Sequence, residues 1–123
     1  MICGLGCDLC GVRRMEEYLQ KERFLTRFFT EDEKAYIRAR AARGQTAAGI
    51  FAAKEALVKA LGTGFGALSV RDVEIAHDEH GAPCYVLSER VLLALHQRGA
   101  QRAFLSISHD GDYAMATAVL EGE

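Results

Sequence analysis

The sequence predicts an α+β fold in which a mostly antiparallel sheet packs against a long, buried helix. Segments that alternate with a period of two lie near both ends of the chain, and an alanine- and leucine-rich segment without proline lies in the middle. The strands are close in sequence, with helices between them. The predicted order is one strand, three helices, two strands, one helix and two strands. We expect residues 1–123, which show no linker or repeat, to form one domain.

Composition argues against several broad classes of protein. Half of the residues are hydrophobic and 26% are charged, which is ordinary for a globular domain. The net charge of −2 gives no field that would favour nucleic acid or an anionic membrane. The sequence shows neither a basic leader nor an apolar run that could span a bilayer. We therefore expect a cytoplasmic protein whose four cysteines are free thiols.

The first third of the chain predicts one strand and two helices. Residues 1–8 alternate between two sides, as a strand does, and residues 12–20 fit a short helix. A Thr-x-x-Glu capping box at Thr30 predicts a helix over residues 30–43, with Gly44 as its stop.

The most strongly predicted helix covers residues 46–61, which read TAAGIFAAKEALVKAL and lead into a glycine turn. This segment is apolar over most of its circumference, so we expect the helix to be buried on most sides. Its charged residues are Lys54, Glu55 and Lys59.

The second half of the chain predicts four strands and one helix. Residues 70–87 fit a hairpin with its turn at 78–81. The next stretch fits a helix that is capped by Ser88 and stops at Gly99. Residues 103–121 fit two alternating strands around an H-D-G-D turn.

Three cysteines near the N-terminus raise the question of a metal site. Cys3, Cys7 and Cys10 stand in a C-x3-C-x2-C spacing, which radical S-adenosylmethionine enzymes use to hold an iron–sulfur cluster. On a strand, Cys3 and Cys7 share a face but lie about 13 Å apart, at about 3.3 Å per residue. We therefore expect Cys3 and Cys7 to be small buried hydrophobes. A cysteine-rich metal or redox protein remains the rival interpretation.

Two carboxylates occur in apolar surroundings. Asp8 ends the first predicted strand, where it either caps the following helix or meets a cation. Glu55 and Lys59 share a face of the central helix, at i and i+4, although that helix is otherwise apolar. Asp8 and Glu55 are suited to hold a Mg²⁺ that also binds phosphate oxygens, with Lys59 neutralising phosphate charge. Gly62 and Gly64 would let the backbone approach such a ligand closely.

His109 ends the alternating segment SISHD. The local sequence fits two interpretations of this residue. It is either a turn histidine that hydrogen-bonds a neighbouring backbone group, or a side chain aimed at a phosphate or ribose.

Three motifs occur in a fixed order along the chain. They are G-x-D at residues 6–8, F-A-A-K-E-A-x-x-K-A-x-G-T-G at residues 51–64, and S-I-S-H at residues 106–109. In order and spacing, they resemble the small 4′-phosphopantetheinyl transferases of the holo-[acyl-carrier-protein] synthase type. The resemblance covers nearly the whole chain, and the long central motif is highly specific. It implies the fold of that family.

The resemblance also implies an activity and roles for the site residues. The reaction moves 4′-phosphopantetheine from coenzyme A to a serine of apo-acyl carrier protein and releases adenosine 3′,5′-bisphosphate, in a Mg²⁺-dependent step of fatty acid biosynthesis. Asp8 and Glu55 would be the magnesium ligands, and Glu55 is also the candidate general base. Lys59 would contact and stabilise the coenzyme A phosphates. His109 would hold the 3′-phosphate side of the nucleotide.

An assembly and a partner surface follow from the same resemblance. The family forms homotrimers with active sites at subunit interfaces, so His109 would serve a site whose Asp8 and Glu55 belong to a neighbour. The first helix would dock the acidic carrier protein, with Arg14 among its contacts. The candidate docking residues are the basic Arg13, Arg14, Lys21 and Arg23 and the apolar Met15, Phe24 and Leu25.

The sequence departs from the family pattern at two positions. Ile50 stands where the family usually has an arginine, and Arg40 or Arg43 are the cations available in its place. Gly11 stands where a glutamate often follows the aspartate. Neither departure affects the predicted site residues, so the activity remains the expectation. A non-catalytic coenzyme A-binding module and a purely structural trimer are the alternatives.

Overall fold

The computed structural model describes residues 1–63 and 68–123, and it confirms the predicted α+β class. The strands are β1 (Ile2–Gly11), β2 (Val73–His77), β3 (Pro83–Leu87), β4 (Arg102–Asp110) and β5 (Tyr113–Glu121). The helices are α1 (Val12–Tyr18), α2 (Glu22–Phe28), α3 (Glu31–Ala39), α4 (Arg43–Leu61) and α5 (Glu89–Gln97), with a short 3-10 helix at Val70–Asp72.

Two antiparallel sheets organise the fold. The larger sheet has the strand order β1-β5-β4, so the first strand lies beside the last. The β2–β3 hairpin forms the smaller sheet. Side chains alternate along each strand, and the residues of β5 that are buried all lie on the side that α4 covers: Ala114, Ala116, Ala118 and Leu120. Among the described residues, no element covers the other face of the larger sheet, where Leu5, Leu9 and Phe104 are exposed.

Helix α4 is the predicted central helix, and it is buried on most sides as expected. It begins at Arg43 rather than at residue 46, and Gly44 is therefore an interior residue of the helix and not the stop of the preceding one. A Cβ at Gly44 would lie 2.2 Å from the Glu16 Cγ, so the glycine makes room for a side chain of α1. Gly62, with φ of 76°, ends α4. Within the described residues, no helix is long and apolar enough to cross a bilayer.

The predictions for the first third of the chain need three corrections. Strand β1 continues to Gly11, three residues beyond the predicted end. Helix α2 was not predicted, because it has seven residues and no side-chain cap at Lys21. The capping box of Thr30 and Glu33 is confirmed, but α3 ends at Ala39, where the chain becomes extended.

The elements predicted for the second half are confirmed with one correction: the hairpin begins at Val73 rather than at residue 70, because Val70–Asp72 form the 3-10 helix. The turn of the β2–β3 hairpin is held by Asp78, whose Oδ1 accepts hydrogen bonds from the backbone N–H groups of His80 and Ala82. The Ser88 side chain accepts a hydrogen bond from the Val91 N–H and caps α5. Strands β4 and β5 pair along their whole length.

A buried ion pair ties α4 to α3 and to β2. The Lys54 Nζ lies 2.8 Å from Glu33 Oε1, and neither side chain is exposed. Lys54 also donates to the carbonyl oxygens of Val70 and Val73, and Glu33 accepts from the Ile75 N–H. Burial is the main cause that lowers the Lys54 pKa. Removing one partner of such a pair costs about 3–5 kcal/mol, because the other charge is then left buried.

Two glycines let β1 approach α4 so closely that backbone meets backbone. A Cβ at Gly6 would lie 2.0 Å from the Ala56 carbonyl oxygen and 2.7 Å from the Ala60 nitrogen. A Cβ at Gly4 would lie 2.5 Å from the Ala60 carbonyl oxygen. No side chain fits at those distances, so the two glycines determine where β1 contacts α4.

We predict that Gly6→Ala lowers the free energy of unfolding by about 3 kcal/mol or more, because the new methyl group must push β1 away from α4. Urea unfolding measures the loss. Gly11→Ala is the matched control on the same strand, since its Cβ would meet nothing closer than 3.9 Å. It should cost less than about 1 kcal/mol. Equal losses for the two variants would contradict this account of the contact.

Candidate active site

Asp8 and Lys59 meet at the contact between β1 and α4. The Lys59 Nζ donates to Asp8 Oδ1 at 2.8 Å and to the Cys7 carbonyl oxygen at 3.1 Å. Asp8 raises the Lys59 pKa, first through this hydrogen bond and then through its charge. Of the two interpretations of Asp8, the geometry favours the cation partner over the helix cap, since α1 begins at Val12 without a side-chain cap.

Glu55 faces the same space. It is half-buried, one helical turn before Lys59. Burial is the largest cause of its raised pKa, and the charge of Asp8 is the second. The charge of Lys59 lowers the Glu55 pKa. The structure therefore brings Asp8, Glu55 and Lys59 together as the sequence suggested, with two carboxylates and one ammonium group.

The electrostatics of this cluster suit a divalent cation. Burial and, second, the charge of Asp8 raise the Glu55 pKa, and the single Lys59 charge does not cancel their effect. Mg²⁺ typically takes one or two carboxylates and completes its shell with water and phosphate oxygens. The donor set of Asp8 and Glu55 fits that requirement. The described residues hold no cluster of three or more His, Cys, Asp and Glu side chains.

The glycine turn after α4 is described in part. Gly62 adopts a left-handed conformation, and its Cβ position would lie 3.3 Å from Arg98 Nη1. Gly64, the second glycine predicted to contact the substrate, lies outside the described residues.

The structure does not bring His109 to this cluster. His109 lies on β4, and its Nε2 is 2.9 Å from the side-chain nitrogen of Gln45 near the start of α4. Lys59 follows Gln45 by fourteen residues, which is about 21 Å along the helix at about 1.5 Å per residue. Within one chain, His109 and the carboxylates therefore occupy opposite ends of α4.

A cavity of about 330 Å³ adjoins His109 and contains residues that the sequence analysis did not single out. Arg40 lines it and Arg43 does not, although both were candidates to replace the missing arginine. Arg43 instead donates to the Arg38 carbonyl oxygen. Ile50 lines the cavity as well, but it is 1% exposed. The other polar residues of the lining are Tyr36, Gln45, Thr46 and His77.

The cysteines do not form a cluster. Cys3 and Cys7 were expected to be buried, but Cys3 is partly exposed and Cys7 is exposed, because no described element of the chain covers their face of the sheet. Cys10 is the buried one, on the opposite face of β1. Its pKa is raised by burial, while Arg14 lowers it. All four cysteines are free.

Of the residues expected to dock the carrier protein, the basic ones are exposed, but two of the apolar ones are buried. Arg13 and Arg14 on α1 are exposed, as are Lys21 and Arg23. Met15 and Leu25 belong to the core and are 2% and 9% exposed. Apolar surface is supplied instead by α2, where a groove is lined by Lys21, Glu22, Arg23, Phe24, Arg27 and Phe28.

Comparison with known proteins identifies the family. A model of the 4′-phosphopantetheinyl transferase superfamily matches residues 4–118. The chain belongs to this superfamily. A holo-[acyl-carrier-protein] synthase of Clostridium kluyveri is 40% identical over 122 residues, which is 98% of this chain and 91% of the relative. The resemblance inferred from the three motifs is confirmed, and the chain is a phosphopantetheinyl transferase by family.

Solved structures of the superfamily share the fold over the whole chain. The holo-[acyl-carrier-protein] synthase of Neisseria meningitidis has a TM-score of 0.88 at 33% identity, covering 98% of this chain and 99% of that one. A holo-(acyl-carrier-protein) synthase of Bacillus anthracis, solved in complex with CoA (3′,5′-ADP), has a TM-score of 0.82 at 35% identity. That comparison covers 100% of this chain and 99% of the other.

We predict that Glu55→Gln raises the free energy of unfolding at neutral pH. The pKa of Glu55 is raised in the folded state, so the fold binds this proton more tightly than the unfolded chain does. Ionised Glu55 therefore costs stability above its folded pKa, and a neutral glutamine removes that cost. In urea unfolding the gain should be present at pH 7 and should fade below about pH 4.3, where the unfolded carboxyl is also protonated.

Glu31→Gln is the matched control for this experiment. The Glu31 pKa is lowered by its hydrogen bond to Lys34, so the sign is reversed and no gain is expected. A loss of stability in Glu55→Gln at pH 7, or the same gain in both variants, would contradict the electrostatic account.

Proposed function

We propose that the chain transfers 4′-phosphopantetheine from coenzyme A to a serine hydroxyl of an apo-acyl carrier protein, in a Mg²⁺-dependent reaction. The convergence of Asp8, Glu55 and Lys59 at one end of α4 carries the proposal, because these are the residue types that bind a metal–diphosphate group. The names of the curated relatives support the carrier as substrate. The four free cysteines support a reducing compartment such as the cytoplasm.

The chemistry is a displacement at phosphorus. The serine oxygen forms a bond to the phosphorus that carries pantetheine, and the bond from that phosphorus to the bridging oxygen of the diphosphate breaks. The leaving group is adenosine 3′,5′-bisphosphate, and the serine proton passes to a base. The carrier supplies the nucleophile, so the transferase needs no catalytic serine or cysteine of its own.

The residues of the cluster take separate roles in this reaction. Lys59 is placed to stabilise the negative charge that develops on the diphosphate. Glu55, whose raised pKa favours proton uptake, is the candidate base for the serine hydroxyl. Asp8 and Glu55 would hold the Mg²⁺, which would supply charge neutralisation at the leaving oxygen. Gly62 and Gly64 are proposed to let the backbone approach the substrate.

In a homotrimer, His109 near one end of α4 could lie beside the carboxylates at the other end of a neighbouring subunit's α4. On the uncovered face of the larger sheet, Leu5, Val119 and Phe104 form an apolar cross-strand row, in which Leu5 and Phe104 are 67% and 52% exposed. Exposed apolar side chains grouped in this way are typical of an interface. In a trimer built on this face, His109 of one subunit would hold the nucleotide of a site whose Asp8 and Glu55 belong to its neighbour. Sedimentation near three times 13.5 kDa is expected.

The carrier protein would dock on α1 and α2. Arg13 and Arg14 are exposed on α1, and α2 adds Arg23 and Arg27 beside Phe24. A local basic surface with aromatic side chains suits an acidic partner, even though the whole chain has a net charge of −2.

We predict that the wild-type chain adds the mass of phosphopantetheine to at least one apo carrier when incubated with coenzyme A and Mg²⁺. Asp8→Asn and Glu55→Gln should each lower the rate about 100-fold or more, the loss typical of removing a group that acts on developing charge. Intact-protein mass spectrometry of a panel of apo carriers measures the transfer.

Glu31→Gln, an exposed carboxylate on α3, is the control and should keep the wild-type rate. Tight binding of coenzyme A without any mass gain would instead establish a binding module. Near-wild-type transfer by Glu55→Gln would remove Glu55 from the mechanism.

We also predict that Arg14→Glu raises the KM for the carrier at least about tenfold and leaves the KM for coenzyme A nearly unchanged, because a charge reversal in the docking surface repels the acidic partner. Arg14→Lys retains the charge and should behave much more like the wild type. An equal change in both KM values would refute the docking assignment.

A further inference from the structure

The cluster of Asp8, Glu55 and Lys59 lies at the end of α4 that is unfavourable for an anion. The C-terminal end of a helix carries a partial negative charge and favours cations. The two carboxylates add to that negative potential, and Lys59 is the one basic residue in the last turn of α4. Its ammonium group already donates to Asp8 and to the Cys7 carbonyl oxygen. A diphosphate that binds here would therefore gain from a second fixed cation of the protein.

Arg98 is an arginine that meets this end of α4. A Cβ at Gly62 would lie 3.3 Å from Arg98 Nη1 and 3.8 Å from the guanidinium carbon. Gly62 follows Lys59 by three residues, a spacing that brings two positions of a helix to within about 5–6 Å of each other. Arg98 is exposed, and in the described part of the chain no carboxylate forms an ion pair with it. Its guanidinium thus remains available to an anion beside the turn that carries Lys59.

The backbone around Arg98 is anchored. Arg98 is the C-cap of α5, and Gly99, with φ of 84°, turns the chain towards β4. A Cβ at Gly122 would lie 1.9 Å from the Gly99 carbonyl oxygen, and the Gln101 N–H donates to the Glu121 carbonyl oxygen at 2.8 Å. These contacts hold the end of α5 against the end of β5. A ligand therefore has to order only the side chain of Arg98, which lowers the entropic cost of the contact.

We propose that Arg98 is a further residue that binds coenzyme A, through the oxygens of its diphosphate. The inference rests on the proposed function, which makes coenzyme A the donor substrate and puts its diphosphate beside Lys59. A guanidinium can offer two parallel N–H groups to phosphate oxygens, which adds orientation to the attraction between the charges. Lys59 from α4 and Arg98 from α5 would then hold the diphosphate together.

A purely structural role for Arg98 is the alternative. A cation near a helix C-terminus stabilises the helix by itself, without any ligand. In that case Arg98→Leu would lower the free energy of unfolding and leave the affinity for coenzyme A as it is in the wild type. Ligand affinity therefore distinguishes the two roles.

The binding test is calorimetry on the whole chain with Mg²⁺ and without a carrier protein. Arg98→Leu should weaken coenzyme A about tenfold or more, the loss expected when a charged group loses its hydrogen-bonding partner. It should weaken 3′-dephospho-coenzyme A by the same factor, because both ligands carry the diphosphate. Arg98→Lys keeps the charge and should recover part of the affinity.

Arg102→Leu is the matched control, because it also removes one exposed arginine. The Arg102 Nε donates to Glu121 Oε1 at 2.9 Å, so this guanidinium is already paired within the chain. The variant should keep the wild-type affinity for both ligands. An equal loss in Arg102→Leu and Arg98→Leu would reduce the effect to the net charge of the chain and overturn the contact.

The outcomes separate this inference from the transferase activity. If the wild type modifies no carrier but Arg98→Leu alone weakens both ligands equally, the proposed function fails and the role of Arg98 stands. If carriers are modified but Arg98→Leu binds both ligands as the wild type does, or loses affinity only for the form with the 3′-phosphate, the role of Arg98 is overturned. Absence of coenzyme A binding by the wild type overturns it as well.

Discussion

The contact between β1 and the C-terminal half of α4 is the constraint on which the site depends. The Gly6 backbone lies against the Ala56 carbonyl oxygen, at a distance that leaves no room for a side chain. Asp8 follows Gly6 on the same face of the strand, and Glu55 and Lys59 flank Ala56 on the helix. The spacing of these three charged groups is therefore a consequence of how closely two backbones approach. This backbone packing therefore sets the geometry on which the proposed catalysis depends.

Much of the fold could be predicted because its elements have local signals. The caps at Thr30 and Ser88, the glycine that ends α4 and the alternation of β4 and β5 all act within a few residues. Helix α2 has no such signal, and its stability comes from packing Leu25 into the core. Gly44 was misinterpreted because a glycine that ends a helix and one that admits the Glu16 side chain look alike in a sequence.

The site was predictable only where a motif spans it. Asp8, Glu55 and Lys59 belong to recognisable motifs, so their convergence could be anticipated. Arg40 and His77 are far apart in the sequence and belong to no periodic pattern, so their common stack on Tyr36 emerges only from the tertiary packing of α3 against β2. The exposure of Cys7 could not be predicted either. Alternation shows that a strand has two faces, but it does not show which face the rest of the chain covers.

The central claim is that the Asp8 and Glu55 carboxylates hold a divalent cation against the diphosphate of coenzyme A. The most direct measurement is a crystal structure grown with coenzyme A and Mn²⁺ in place of Mg²⁺, with an anomalous difference map. The account predicts a peak within about 2.5 Å of an oxygen of each carboxylate and in contact with diphosphate oxygens. Ordered coenzyme A with its diphosphate away from these side chains, or a manganese peak bound elsewhere, would contradict it.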